Sequence, residues 1–160
     1  MISSNILNGR LKDLTFLLVL AAALISTSGI GVSAIEYLPD KMACVKLSGE
    51  FMRNVVTGNI EEAFTAIEPY FPISQREYNN LLEQTETQLQ GSKSSFGDAL
   101  DYKFVREETV GEFLARYIFV IRHEMTVTVW KFLYYKPSEK WLLNSLHWND
   151  DVSRLFSSQR

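Results

Sequence analysis

The sequence predicts an α+β fold in which three N-terminal helices pack on the concave face of a curved four-stranded antiparallel sheet. Apolar residues recur at helical spacing through residues 41–89 and then alternate with polar residues through residues 101–148. Turn signals at 110–111, 124–125 and 137–139 divide the second half into four segments of strand length. With 160 residues and 46% hydrophobic content, the chain suits one compact core, which we assign to a single domain at 35–160.

The N-terminal segment predicts export. Arg10 and Lys12 precede an apolar stretch at 14–25, and small polar residues follow as far as Ala34. This order is typical of a secretory signal peptide, residues 1–34, cleaved after Ala34. The alternative is a retained membrane anchor, because residues 14–35 carry no charge and are roughly long enough to span a bilayer. In either case we expect the domain outside the cytoplasm, periplasmic or secreted, with a membrane contact only if the segment is retained.

Three helices are expected before the sheet. The first covers Lys41–Val56, and the second covers Ile60–Ile67, where Glu61 and Glu62 suit the positive end of the helix dipole. The third begins after Ser74, which forms a capping-box pattern with Glu77. We expect it to end at Gly91, before a polar loop at 91–98.

Four strands follow, at 101–109, 112–123, 126–135 and 140–148. The tail, 149–160, is acidic and then loosely apolar, and we expect it to pack as a short end segment or to fray.

Composition excludes several functions. A formal charge of −3, with no basic stripe interleaved with aromatic residues, argues against nucleic acid as a partner. Cys44 is the single cysteine, so no intrachain disulfide can form, and we interpret it as a buried helical residue rather than a reactive thiol. His123 and His147 are far apart in sequence, so we predict no metal site and no cofactor.

Strand pairing predicts two apolar sheet faces. Turns centred at the positions above would align Tyr117, Phe119 and Ile121 with Trp130 and Phe132, and further with Ser145 and His147. Both faces are too apolar to remain in water. We expect the helices to cover one face, and either a second subunit, in a homodimer through the sheet, or the C-terminal tail to cover the other.

The aromatic face is the predicted binding site for an apolar small molecule. Its candidate pocket residues are Tyr117, Phe119, Trp130, Phe132, Ser145 and His147. The competing interpretation is a filled core, since large aromatic side chains are an efficient way for a small domain to bury surface.

Catalysis is permitted by the residues but not indicated by them. His147 is the best candidate acid or base, since an imidazole can take or give a proton near neutral pH. Asp101 lies beside Lys103 and is better interpreted as a solvated charge, and His123 is expected to be exposed beside a turn. We therefore assign no catalytic residue.

Three segments carry a family resemblance. They are residues 58–64, the Tyr70, Phe71 and Pro72 sequence before the third helix, and the hairpin from Trp130 to Trp141. Over 37–156 the chain resembles the nuclear transport factor 2-like superfamily, also described as a cystatin-like fold, in which helices cover the concave face of a strongly curved sheet. Its members include isomerases, dehydratases, ligand binders and assembly modules, so the resemblance implies a fold and no particular activity.

Three functional hypotheses remain. We prefer an exported, non-catalytic binding or accessory protein. The alternatives are an isomerase- or dehydratase-like enzyme acting on an apolar small molecule, and a membrane-anchored assembly component resembling the periplasmic domains of secretion systems.

Overall fold

The computed structural model describes residues 34–156, which lie within one compact unit. Its elements are α1 (Lys41–Val56), α2 (Ile60–Ile67), a short 3₁₀ turn (Glu68–Tyr70), α3 (Gln75–Phe96), β1 (Ala99–Val110), β2 (Leu114–His123), β3 (Val127–Tyr135), β4 (Leu142–Asn149) and α4 (Ser153–Phe156). The strands form one curved antiparallel sheet in the order β1-β2-β3-β4. The predicted α+β class is therefore confirmed.

The predicted signal peptide or anchor lies almost entirely outside the described residues, which begin at Ala34. Within residues 34–156, no helix is both long enough and apolar enough to cross a membrane.

The first two helices have the predicted bounds, and local capping explains where helices begin. The side chain of Asp40 accepts a hydrogen bond from the Ala43 amide at 2.8 Å, which satisfies one of the free N–H groups in the first turn of α1. Ser74 and Glu77 form the predicted reciprocal capping box at the start of α3.

Helix α3 does not end at Gly91 as predicted but continues to Phe96, so the expected loop at 91–98 is reduced to two residues. Gly91 is exposed, and a glycine within a helix costs only about 1 kcal/mol relative to alanine. The last turn is held from outside the helix, because the Met125 amide donates to the Phe96 carbonyl at 3.0 Å. Gly97 then ends the helix with φ of 75°, a conformation that favours glycine.

Strand β1 is an irregular edge strand. Its pairing with β2 shifts register between Ala99 and Asp101 and again between Phe104 and Arg106. The two residues left out of the ladder, Leu100 and Val105, are both exposed. Each shift is a β-bulge, which bends the strand and interrupts its regular hydrogen bonding.

The centre of the core is the contact between α1 and the sheet through Phe51. This fully buried ring lies 5.8 Å from Trp130 and 5.4 Å from Phe132, measured between ring centroids. It also contacts Phe64 of α2 at 5.3 Å in an edge-on arrangement. Such aromatic contacts add about 0.5–1.5 kcal/mol each to the free energy gained by burial.

On the opposite side of the sheet, Ile118 and Val129 are each 1% exposed. They line a small hollow of about 210 Å³ together with the long side chains of Arg106 and Lys131 and with Leu155 of α4. The guanidinium of Arg106 donates to the Leu155 carbonyl at 3.1 Å. The chain's own tail and basic side chains therefore shield this part of the second face, and α4 packs as a short end segment, one of the two predicted arrangements.

A buried hydroxyl pair also joins α1 to β3. Ser48 and Tyr134 are fully buried, and their side-chain oxygens lie 2.9 Å apart. Ser48 Oγ donates to the Cys44 carbonyl at 2.9 Å, so the Tyr134 hydroxyl is the donor toward Ser48. Desolvation by burial raises the pKa of Tyr134 strongly, which keeps this hydroxyl protonated.

This pair predicts unequal effects of removing either hydroxyl. Ser48→Ala leaves the buried Tyr134 hydroxyl without its partner and should lower the free energy of unfolding by about 2 kcal/mol. Tyr134→Phe leaves Ser48 bonded to the Cys44 carbonyl and should cost only about 1 kcal/mol. Urea unfolding of both variants and of the double variant measures the difference. Equal costs, or costs that add fully in the double variant, would contradict the pairing.

Candidate functional site

The structure brings four of the six predicted pocket residues together. Tyr117 pairs with Phe132 and Phe119 pairs with Trp130, so all four side chains share the face toward α1. None is more than 2% exposed, and the Phe119 and Phe132 rings meet edge-on at 5.7 Å. These side chains fill the core, and a ligand-binding role for them stays a prediction.

The other two, Ser145 and His147, do not lie on that face, so the predicted alignment is wrong for β4. Ser145 pairs with Leu133, and His147 pairs with Lys131, on the opposite side of the sheet. The cause is a register shift next to Tyr134, which leaves Asn144 as an extra residue in β4 and reverses the facing of the residues after it.

Residues of β4 other than the predicted ones therefore face the core. Leu146 and Trp148 occupy the face expected for Ser145 and His147, and Trp148 stacks on Trp130 with ring centroids 5.2 Å apart. His147 is exposed. The best candidate for an acid or base thus lies away from the aromatic face.

A concavity larger than the hollow beside Ile118 lies elsewhere, between the ends of α1 and α3 and the start of β1. This cleft has a volume of about 470 Å³. Its lining comes from five elements and the junctions between them: Val55, Val56, Thr57, Gly58, Ile60, Glu86, Leu89, Gln90, Lys93, Phe96, Gly97, Asp98, Ala99 and His123. Both helices contribute apolar side chains to the cleft, and Glu86, Gln90 and Lys93 add polar groups along α3.

The wall around Gly97 is linked to the β2–β3 turn by two hydrogen bonds. The Glu124 amide donates to the Asp98 carbonyl at 3.1 Å, and the Asp98 amide donates to the Glu124 carboxylate at 3.1 Å. A Cβ atom at Gly97 would lie 2.6 Å from a Glu124 carboxylate oxygen. Both this close approach and the positive φ therefore require glycine at this position.

His123, at the end of β2, is the buried polar residue of the cleft. It is 8% exposed rather than exposed as predicted, because the turn after it folds against the end of α3 and the Phe96 ring lies 5.6 Å from the imidazole. Its Nε2 lies 3.1 Å from Thr128 Oγ1, whereas Nδ1 has no hydrogen-bond partner among the described residues.

The environment of His123 favours the neutral ring. Desolvation by burial lowers the pKa of this imidazole, and the backbone of Gly97 offsets part of the lowering without forming a hydrogen bond of good geometry to Nδ1. The sequence did carry a signal for this residue. Continuing the alternation of Tyr117, Phe119 and Ile121 by two residues places His123 on the same inner face.

The other reactive groups considered from the sequence lie outside the cleft. Cys44 is fully buried in α1, and burial raises the pKa of its thiol to about 12, as expected for an unreactive core residue. Asp101 accepts two hydrogen bonds from Arg122, both at 3.1 Å, with Lys103 at 3.8 Å. Within residues 34–156, no three His, Cys, Asp or Glu side chains are grouped so as to hold a metal ion.

Comparison of the chain with protein-family models, with curated proteins and with solved structures finds no significant match. The chemistry of the cleft therefore has to be inferred from its own residues. Hydrophobic walls with a buried imidazole at one end can enclose an apolar molecule and fix its orientation by a hydrogen bond.

The lowered pKa of His123 predicts a pH dependence of stability. Because the folded state resists protonation, the unfolded state binds more protons once the pH falls below about 6.5, and the free energy of unfolding should fall as the pH is lowered from about 7.5 to about 5.5. His123→Gln should flatten this slope, whereas His147→Gln, at the exposed position, should retain it. Urea unfolding midpoints across this range provide the measurement. If His123→Gln does not fold, an NMR titration of the wild-type imidazoles gives the same information, and a normal or raised pKa for His123 would contradict the assignment.

Proposed function

We propose that this protein is a non-catalytic binding protein that holds a small, largely apolar molecule in the cleft between α1, α3 and β1. The observation that carries the proposal is the cleft itself, with the buried imidazole of His123 in its wall. Its volume of about 470 Å³ falls within the ordinary range of small-molecule sites.

The lining supports an apolar ligand with a few polar contacts. The hydrophobic surface comes from Val56, Ile60, Leu89 and Phe96. All four are only partly buried, so a ligand that covered them would remove apolar surface from water at about 25 cal/mol per Å².

Binding is favoured over catalysis by the positions of the two side chains proposed as bases. His147 is exposed on the other side of the sheet, and the Asp101 carboxylate is held by Arg122. Neither lines the cleft. An isomerase- or dehydratase-like activity would need a proton-transferring group at the ligand. The imidazole of His123 is in the cleft, but its Nε2 is directed at Thr128 and its Nδ1 is closed off from solvent, so neither nitrogen is placed as an open acid or base.

The resemblance to the nuclear transport factor 2-like superfamily is part of this proposal. We infer that the three N-terminal helices cover the concave face of the sheet. The contacts of Phe51 with Trp130 and Phe132, and of Phe64 with Tyr78 at 6.0 Å, support this packing. Export of the domain and a homodimer through the sheet also remain proposals, and a membrane-anchored assembly role is the alternative if the N-terminal segment is retained.

Native mass spectrometry of the full chain, expressed with its N-terminal segment and recovered from outside the cytoplasm, tests the proposal. One spectrum reports the mature N-terminus, the number of subunits and any retained small molecule. We expect a retained molecule on the wild-type protein. A ligand-free spectrum under gentle conditions would contradict binding, and an intact N-terminus would favour the anchored alternative.

Two matched variants locate the bound molecule. Gln90 and Gln88 are both exposed on α3, but only Gln90 lines the cleft. Gln90→Trp places an indole in the cleft and should reduce the retained fraction about tenfold, which corresponds to about 1.4 kcal/mol of binding free energy. Gln88→Trp places the same group outside it and should leave the fraction unchanged. Equal retention by the two variants would place the molecule at another site.

A further inference from the structure

A polar network lies behind the cleft, where His123 meets the core. Trp130 Nε1 donates to Thr128 Oγ1 at 3.0 Å, and His123 Nε2 lies 3.1 Å from the same oxygen. Thr128 and Trp130 are fully buried. These two contacts are the hydrogen bonds that the structure gives to the Thr128 hydroxyl, so they decide where its proton and the imidazole proton lie.

Proton accounting selects one tautomer of His123. The indole N–H can only donate, so Thr128 Oγ1 accepts from Trp130. If His123 Nε2 also donated to Thr128, the buried threonine proton would lack an acceptor and Nδ1 would lack a donor. If Thr128 instead donates to Nε2, the threonine hydroxyl both accepts from Trp130 and donates to His123. The Nδ1–H of His123 is then the one group of this network without a hydrogen-bond partner within residues 34–156.

This leftover group is a donor on the cleft side of the ring. Nε2 is directed at the buried Thr128, whereas His123 itself lines the cleft and interacts with the backbone of Gly97, another lining residue. A buried N–H without a partner costs about 1–3 kcal/mol, and a bound acceptor would recover this free energy.

The charges around the cleft disfavour an anionic acceptor. Lys93 pairs with Asp98 at 3.2 Å, which leaves the Glu86 carboxylate as a net negative charge in the lining. The C-terminal ends of both α1 and α3 also face the cleft, and each carries partial negative charge. The N-terminus of α2, at Ile60, offsets only part of this potential.

We propose that the ligand is an uncharged, largely apolar molecule with a carbonyl oxygen, which accepts a hydrogen bond from His123 Nδ1–H. This inference rests on the proposed binding function and specifies the class of molecule bound. Because Nδ1 is closed off from solvent, entry of the carbonyl oxygen displaces part of the wall at Gly97. The bond then forms away from bulk water, where a hydrogen bond is electrostatically stronger.

The tautomer is tested on the unliganded, ¹⁵N-labelled full-length protein by long-range ¹H–¹⁵N correlation of the histidine rings. We expect His123 as a neutral imidazole with its proton on Nδ1, whereas the exposed His147 serves as the internal reference. A proton on Nε2 of His123 would overturn the inference. This outcome would leave the proposed cleft untouched, so the two failures are distinguishable.

Ligand class is tested with three probes that share one aromatic ring. Acetophenone offers a neutral carbonyl, α-methylstyrene has nearly the same shape without an acceptor, and benzoate offers an anionic acceptor. We expect acetophenone to shift the His123 Nδ1 resonance and to bind about tenfold tighter than α-methylstyrene, the effect of one satisfied buried donor. Benzoate should bind more weakly than acetophenone. Equal affinities of acetophenone and α-methylstyrene in the cleft would overturn the inference alone, and binding of none of the probes would count against both proposals.

A pair of variants assigns the preference to His123. His123→Phe removes the imidazole donor without supplying another N–H and should abolish the tenfold preference for acetophenone, whereas His147→Phe should retain it. Retention of the preference by a folded His123→Phe protein would overturn the inference. If that variant does not fold, the tautomer and the probe-induced shift in the wild-type protein decide the matter.

Discussion

The contact of the Phe51 ring with Trp130, Phe132 and Phe64 is the constraint on which the remaining structure depends. It sets the distance between α1 and the sheet, and it packs α2 against the same Phe51 ring. Val55 lies one helical turn further along the same face, so the packing of Phe51 also places the end of α1 in the cleft wall. Core packing and site geometry are therefore set by one interaction.

Local signals in the sequence were enough to predict most of the elements. The bounds of α1 and α2 and the capping box at Ser74 each depend on residues within one or two turns of one another, and all were confirmed. The end of α3 was predicted wrongly because Gly91 is a local signal, whereas the hydrogen bond from Met125 that holds the last turn comes from a distant strand connection.

The site was less predictable because it depends on irregularities and on junctions. One extra residue in β4 reverses the facing of Ser145 and His147, and no alternation pattern reveals a bulge of this kind. The cleft is lined by the ends of elements that are far apart in sequence. Strand alternation places His123 on the inner face, whereas its position beside a turn predicts exposure. The alternation is the correct signal, because the turn folds onto α3.

The two bulges of β1 have a consequence for behaviour at high concentration. This twelve-residue strand forms one edge of the sheet and carries exposed apolar side chains, the combination that ordinarily invites another chain to pair with it. At Leu100 and Val105 the bulges break the regular spacing of amide and carbonyl groups that an incoming strand would have to match. The same irregularity that exposes these two side chains thus protects the protein from edge-to-edge aggregation.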